Sequence, residues 1–191
     1  MRTLRAAAEL FAEYGVGATS YQMIANAIGV TKGAIYHQFN TKDEIIIAVA
    51  EMELATLEDA LEAAEALDCR MEARELLLNL VIDHAVEHRR GANTLQFDPV
   101  IVRLLSDHEP FQRFVERLYG MLVGDEPGPG TQVRLAALTC VVGGTVSHPL
   151  VAGLDDDTLR TQLLAMARRI VGLPEAVSPR RTDRKPKRAS A

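Results

Sequence analysis

Ser20-Tyr-Gln-Met-Ile-Ala-Asn-Ala-Ile-Gly29-Val-Thr31-Lys-Gly-Ala-Ile-Tyr-His-Gln38 decides the fold. Two short segments of helical period flank Gly29-Val30-Thr31. In the first, Ser20 is placed to cap the N-terminus, Ile24, Ala25 and Ile28 face inward, and Gly29 ends the helix. In the second, Thr31 caps Lys32 to Gln38, and Ile35 and Phe39 form the buried side. Two helices can cross this closely only where the turn holds a small residue, which Gly29 supplies. Val30 is expected to plug the turn from inside. The second helix is poor in large apolar side chains on its outer face, where Lys32, Gly33, Ala34, Tyr36, His37 and Gln38 stand. Small residues at its start would let its backbone approach a DNA major groove, with Lys32 in reach of base edges or phosphate. Tyr36, His37, Gln38 and the later Lys42 offer donors suited to phosphate. The helix N-termini at Ser20 and Thr41 offer free backbone N–H groups for the same purpose.

Working outward, Thr3 to Tyr14 carries an apolar stripe of Leu4, Ala7, Ala8 and Phe11, and Gly15 and Gly17 close it. Thr41-Lys-Asp-Glu44 spells a capping box and opens a helix to about Ala66, some 25 residues and roughly 37 Å long. Further helices are predicted at about Met71–Arg90, Asp98–Leu105 (Pro99 at the first helical position), Asp107–Val123, Thr131–Val146 and Asp156–Val171. No stretch alternates as a strand. The fold class is therefore all-α with about nine helices: a three-helix head over residues 1–46 and a helical body over 47–173. Residues 174–191 are polar and basic, too poor in large apolar groups to order themselves, and are expected to be disordered.

The net charge is −5, and its distribution matters more than its sum. From Pro174 onward six Arg and Lys face two acids, a net of +4, which leaves −9 on residues 1–173. The first 46 residues balance: Arg2, Arg5, Lys32 and Lys42 against Glu9, Glu13, Asp43 and Glu44. A neutral head on an acidic body argues against general coating of DNA and for one placed contact face. No apolar run reaches the roughly 18 residues of a membrane span, and no secretory signal is visible at the start. Cys69 and Cys140 make no disulfide framework and read as buried free thiols in a reducing cytoplasm.

The markers Gly15, Gly17, Thr19-Ser20, Ile24-Ala25, Gly29-Val30-Thr31-Lys32-Gly33, Ile35-Tyr36, Phe39 and Lys42 resemble the signature of the TetR family. The likeness covers about 40 residues with matching spacing at nearly every marker. It implies a homodimeric, ligand-responsive repressor that leaves a palindromic double-stranded operator when a small molecule enters the helical body. Lys32 and Gly33 align with base-contacting positions, and Ser20, Tyr21, Tyr36, His37 and Lys42 with phosphate-contacting ones. Gln38 replaces the family's usual His or Tyr but can still donate to phosphate. The chain starts almost at the first helix, without the basic arm many members carry, which leaves minor-groove contacts open unless the start is truncated.

In the body, Val133, Ala137, Cys140 and Gly144 share one side of their helix, and Leu159, Leu163, Met166 and Ile170 recur at helical spacing in the last. This pattern fits either a four-helix dimer interface or an internal core; the resemblance favours the dimer. Ligand-pocket candidates are Asn79, His84, Phe97, Phe111, Phe114, Tyr119 and Thr145. With no Trp and few other aromatics, an aliphatic or lipid-like effector is favoured. His84 and His88 stand four apart, but no third ligand accompanies them, so no metal is expected. No cofactor is implied, and no nucleophile–base pair or phosphate loop supports an enzyme. A helical binding or scaffold protein without a DNA role is the alternative. The basic tail, Arg180 to Arg188, would either add DNA affinity or serve solubility.

Overall fold

A computed structural model describes residues 1–89, 98–124 and 128–174. The expected tail and the pocket candidate Phe97 lie outside the described residues, apart from Pro174. Nine α-helices are seen among the described residues: α1 (Arg2–Ala18), α2 (Tyr21–Ile28), α3 (Lys32–Gln38), α4 (Lys42–Glu65), α5 (Arg70–Glu87), α6 (Pro99–Ser106), α7 (Glu109–Val123), α8 (Pro129–Val146) and α9 (Asp156–Val171). A 3₁₀ turn, Pro149–Val151, joins the last two. None of these helices is long and apolar enough to cross a membrane.

The head packs α1, α2, α3 and the start of α4 around Ala7, Phe11, Ile24, Ala25, Ile35, Ile45 and Ile46. Gly15 breaks α1 with φ 79° and ψ 158°, a backbone region open only to glycine. The chain then turns through Val16–Ala18, held by the buried Thr19, whose hydroxyl lies 2.9 Å from the Gly15 carbonyl and 3.2 Å from that of Leu10. At the other end Arg2 donates to the Ile28 carbonyl at 2.7 Å, satisfying one of the open acceptors at the end of α2. Gly29 adopts the left-handed conformation (φ 70°) that turns the chain from α2 into α3. Val30 is 38% exposed and does not plug that turn from inside. Its N–H reaches back to Ala25, which aims the side chain outward.

The body is built around α5, which packs against α4, α7, α8 and α9. Ala73, Leu77, Leu78, Ile82, Ala85 and Val86 of α5 meet Leu57, Leu61, Phe114, Leu122, Leu138, Val142, Leu159 and Leu163 in one core. Two arginines fasten its lower end. Arg74 donates to the carbonyls of Leu122 and Val171, so one guanidinium caps both α7 and α9. Burial lowers its pKa from the ordinary value. Arg168, itself buried, forms a forked pair with Glu75 and also donates to the Pro174 carbonyl. Such a pair owes its place to two-sided hydrogen bonding, because an unpaired charge there would be costly.

The expected border at residue 46 does not separate two packing units. Helix α4 places Ile45, Ile46, Val49 and Ala50 in the head core and Leu57, Ala60, Leu61 and Ala64 in the body core. Helix α6 sends Ile101 and Leu105 into the head core, although it follows the body's central helix in sequence. Asp98 caps α6 through one carboxylate oxygen, while the other accepts from the Val16 N–H at 3.4 Å. Cys69 and Cys140 are both exposed, against the expectation of buried thiols.

Candidate DNA-binding face

Helix α3 turns Ile35 inward and leaves Lys32, Gly33, Tyr36 and His37 exposed along its opposite side. Thr31 accepts from the Ala34 N–H at 3.3 Å and so fixes where the helix begins. A Cβ added at Gly33 would meet no atom closer than the Thr31 hydroxyl, at 3.8 Å. Packing within the chain therefore tolerates a larger residue, and the small size of Gly33 is available to an outside surface. Beside α3, Ser20 accepts from the Met23 N–H at 3.3 Å and stays exposed, at a helix N-terminus with no acidic residue in its first turn. Phosphate fits such a terminus.

Three of the expected phosphate-contacting residues are engaged within the chain, though Gln38 stays exposed. The Tyr21 hydroxyl is buried and has no hydrogen-bond partner. Its ring lies flat against Tyr36 instead, with centroids 4.2 Å apart and planes 15° from parallel. Burial, then Tyr36, Glu44 and Asp43, push its phenol pKa up. Lys42 gives its ammonium to the carbonyls of Val16 and Gly17, closing the end of α1. The Gln38 carbonyl accepts from the buried Thr3 at 2.9 Å, which leaves only its NH₂ for other partners. The N-terminus of α4 is unsuited to phosphate as well. Thr41 already accepts the Glu44 N–H, Glu44 accepts from the Asn40 N–H, and Asp43 and Glu44 supply negative charge there. The exposed residues without such a commitment are thus Ser20, Lys32, Gly33, Tyr36 and His37, and Gln38 is exposed beside them with its NH₂ free. The Lys32 ammonium stands over the Tyr36 ring, 5.4 Å from its centroid.

The expected pocket residues are spread through the body. Phe114 is part of its core, and Phe111 lies against both cores. Tyr119 shares a 2.8 Å hydrogen bond with Thr139, which the sequence did not single out. Asn79 donates to the Glu75 carbonyl of its own helix at 2.6 Å, and Thr145 is half-buried. His84 stacks on His88 at 4.3 Å, and its Nδ1 is buried without a partner. Burial pushes the His84 imidazole down to about 4, and His88 adds to the shift. An open depression of about 330 Å³ lies elsewhere, among Glu65, Asp68, Arg70, Glu116 and Arg117.

The expected dimer stripe divides. Leu159 and Leu163 are 1% and 0% exposed and belong to the subunit's own core, because α9 turns that side onto α5 and α8. Ile170 is half-buried against the same core. Val133 (67% exposed), Cys140 and Met166 (41%) face outward, with Ala137 and Gly144 partly covered. The outward side of α9 therefore runs through Gln162, Ala165, Met166 and Arg169.

This is the arrangement of a helix-turn-helix head carried on a helical body. Residues 4–49 match the family described as bacterial regulatory proteins, tetR family. Over 90 residues the chain is 36% identical to the HTH-type transcriptional regulator AcrR of Shigella flexneri, covering 46% of this chain and 42% of that protein. The match thus spans less than half the length of that relative. Among solved structures, the fold is similar to the transcriptional regulator FadR from Bacillus subtilis in complex with stearoyl-CoA (TM-score 0.66, 20% identity, covering 87% of this chain and 96% of that one). It is also similar to AibR in complex with isovaleryl coenzyme A and operator DNA (TM-score 0.64, 17% identity, 86% and 95%). These two likenesses establish the fold. The family match itself is carried by the head, residues 4–49.

Two outcomes are expected. Gly33→Ala leaves thermal stability unchanged or raises it by up to about 1 kcal/mol, since alanine favours a helix, yet lowers affinity for the cognate DNA; a calorimetric scan and a binding titration check the pair. For His84, the unfolded chain takes up its proton near 6.5 and the folded chain only near 4. The stability this imidazole contributes is present above 6.5 and lost as pH falls toward 4. Between those pH values His84→Leu should lose less stability on acidification than the parent, as read from urea midpoints; equal losses would remove the assignment.

Proposed function

We propose that this protein is a DNA-binding transcriptional regulator, a homodimeric repressor that leaves a palindromic operator when a small molecule binds its helical body. It is a regulator rather than an enzyme and acts in the cytoplasm. The observation that carries the reading is the outer face of α3, where Lys32, Tyr36 and His37 surround a glycine that internal packing does not require. Lys32 and the Gly33 backbone read base edges, and Ser20, Tyr36 and His37 hold phosphate. Two such heads on a two-fold axis would sit in successive major grooves, about 34 Å apart. The exposed sides of α8 and α9, around Val133, Cys140 and Met166, are the surfaces that join the two copies.

The effector is aliphatic or lipid-like. FadR and AibR, whose folds this chain shares, were solved with stearoyl-CoA and isovaleryl coenzyme A. An effector among α5, α7 and α8 would act on DNA through α6, because Ile101 and Leu105 are part of the head core and Asp98 bonds to Val16. A shift of α6 would carry the end of α1, and with it the angle of α3.

The test is a titration of the protein against the DNA upstream of its own gene and against scrambled DNA, over a range of salt. Tighter binding to the upstream DNA, a steep negative salt slope, and loss of discrimination in Lys32→Ala are expected. Release of the DNA by a long-chain acyl-CoA, and not by coenzyme A alone, is expected of the effector. Equal affinity for both DNAs contradicts the function.

A further inference from the structure

The stack of Tyr21 and Tyr36 is not explained by phosphate binding, because the Tyr21 hydroxyl is buried and points at no partner. Tyr21 opens α2 and Tyr36 stands on α3, so the two rings bridge the helices of the reading unit at its exposed edge. With one face of Tyr36 filled by Tyr21, that ring cannot swing freely, and the Lys32 ammonium stands over it. A lysine is a flexible point charge on four rotatable carbons, and it discriminates poorly unless something limits where its nitrogen can go. An aromatic face attracts an ammonium and supplies such a limit.

We infer that Tyr21 is a positioning residue for DNA sequence discrimination: by stacking on Tyr36 it fixes the ring that stations the Lys32 ammonium at the base edges. The inference rests on the reading of α3 given above and extends it to a residue that touches no DNA. A purely structural role would join α2 to α3 and affect stability alone. A positioning role moves specificity far more than general DNA affinity, because among the phosphate contacts only that of Tyr36 shares the stacked ring, and those of Ser20 and His37 do not.

The experiment compares Tyr21→Phe, Tyr21→Leu and Tyr21→Met in the full-length protein. Binding is measured to upstream DNA and to scrambled DNA, each variant being first checked for a native thermal transition. Tyr21→Phe should match the parent, since it keeps the ring and loses only an unpartnered hydroxyl. Tyr21→Leu should lower the ratio of specific to scrambled affinity by about tenfold, within the range set by one base contact, with the salt slope unchanged and the scrambled affinity moved much less than the specific one. In a Lys32→Met background the same substitution should add nothing. Tyr21→Met takes the place of Tyr21→Leu if the latter does not fold. In the DNA-free protein, the ε-methylene protons of Lys32 should show an upfield ring-current shift that Tyr21→Leu diminishes.

Equal weakening on both DNAs, a full effect in the Lys32→Met background, or unmoved Lys32 signals would each overturn the inference. A parent protein that fails to distinguish the two DNAs would overturn the proposed function itself. That result is separate from a parent that discriminates and a Tyr21→Leu variant that does so equally well.

Discussion

One helix is shared by two cores, and the rest of the structure depends on it. Helix α4, 24 residues and about 36 Å long, seats its first two turns among the head residues and its later turns among those of the body. A helix of this kind resists bending, so the head cannot turn on the body without moving α4 as a unit or repacking one core. Helix α6 adds a second link, with Ile101 and Leu105 buried beside the end of α1 and the start of α4. Two attachment points on one small head define its angle far better than one. The geometry of α3 is thereby set by packing that lies well away from it, and under the proposed function a change in the body would reach α3 through these apolar contacts and the Asp98–Val16 hydrogen bond.

Charge has a different role. The head is neutral by formal count and the acidic excess lies in the later residues, so the protein has little general attraction for a polyanion. The two lysines of the head are also not equivalent. Lys42 is spent on carbonyls at the end of α1 and works for the fold, while Lys32 is exposed and works outward. With few cations available, the recognition we propose would rest on helix N-termini, hydroxyls and a single well-placed ammonium. This makes the positioning of that ammonium more important than it would be on a basic surface.

Much of the architecture was legible in the sequence because helix ends are written in local chemistry. Ser20, Thr31, Thr41 and Asp98 each cap the helix they were expected to cap, and Gly29 takes the left-handed turn its position requires. What a side chain does once the helices pack was less legible. Helical spacing puts Leu159, Leu163 and Met166 on one broad stripe, but only contact with α5 and α8 decides that the first two go inward and the third outward. Tyr21 and Lys42 are polar residues at positions the family resemblance assigns to phosphate, yet each finds a nearer partner within the chain. Nothing local signals that Asp98 reaches Val16 or that Ile101 joins the head, since both depend on a contact across more than 80 positions or on the path of a later helix.

The central claim is that the head's stability and orientation are borrowed in part from α6. Native-state hydrogen exchange tests it most directly, through the amides of Ile24 and Ile28 in the parent and in a Leu105→Ala variant. Truncating this one side chain, at a cost of about 2–4 kcal/mol, is expected to lower protection of those head amides by a comparable amount. Protection in the head that stays at the parent's level, while only the body's amides exchange faster, would contradict it.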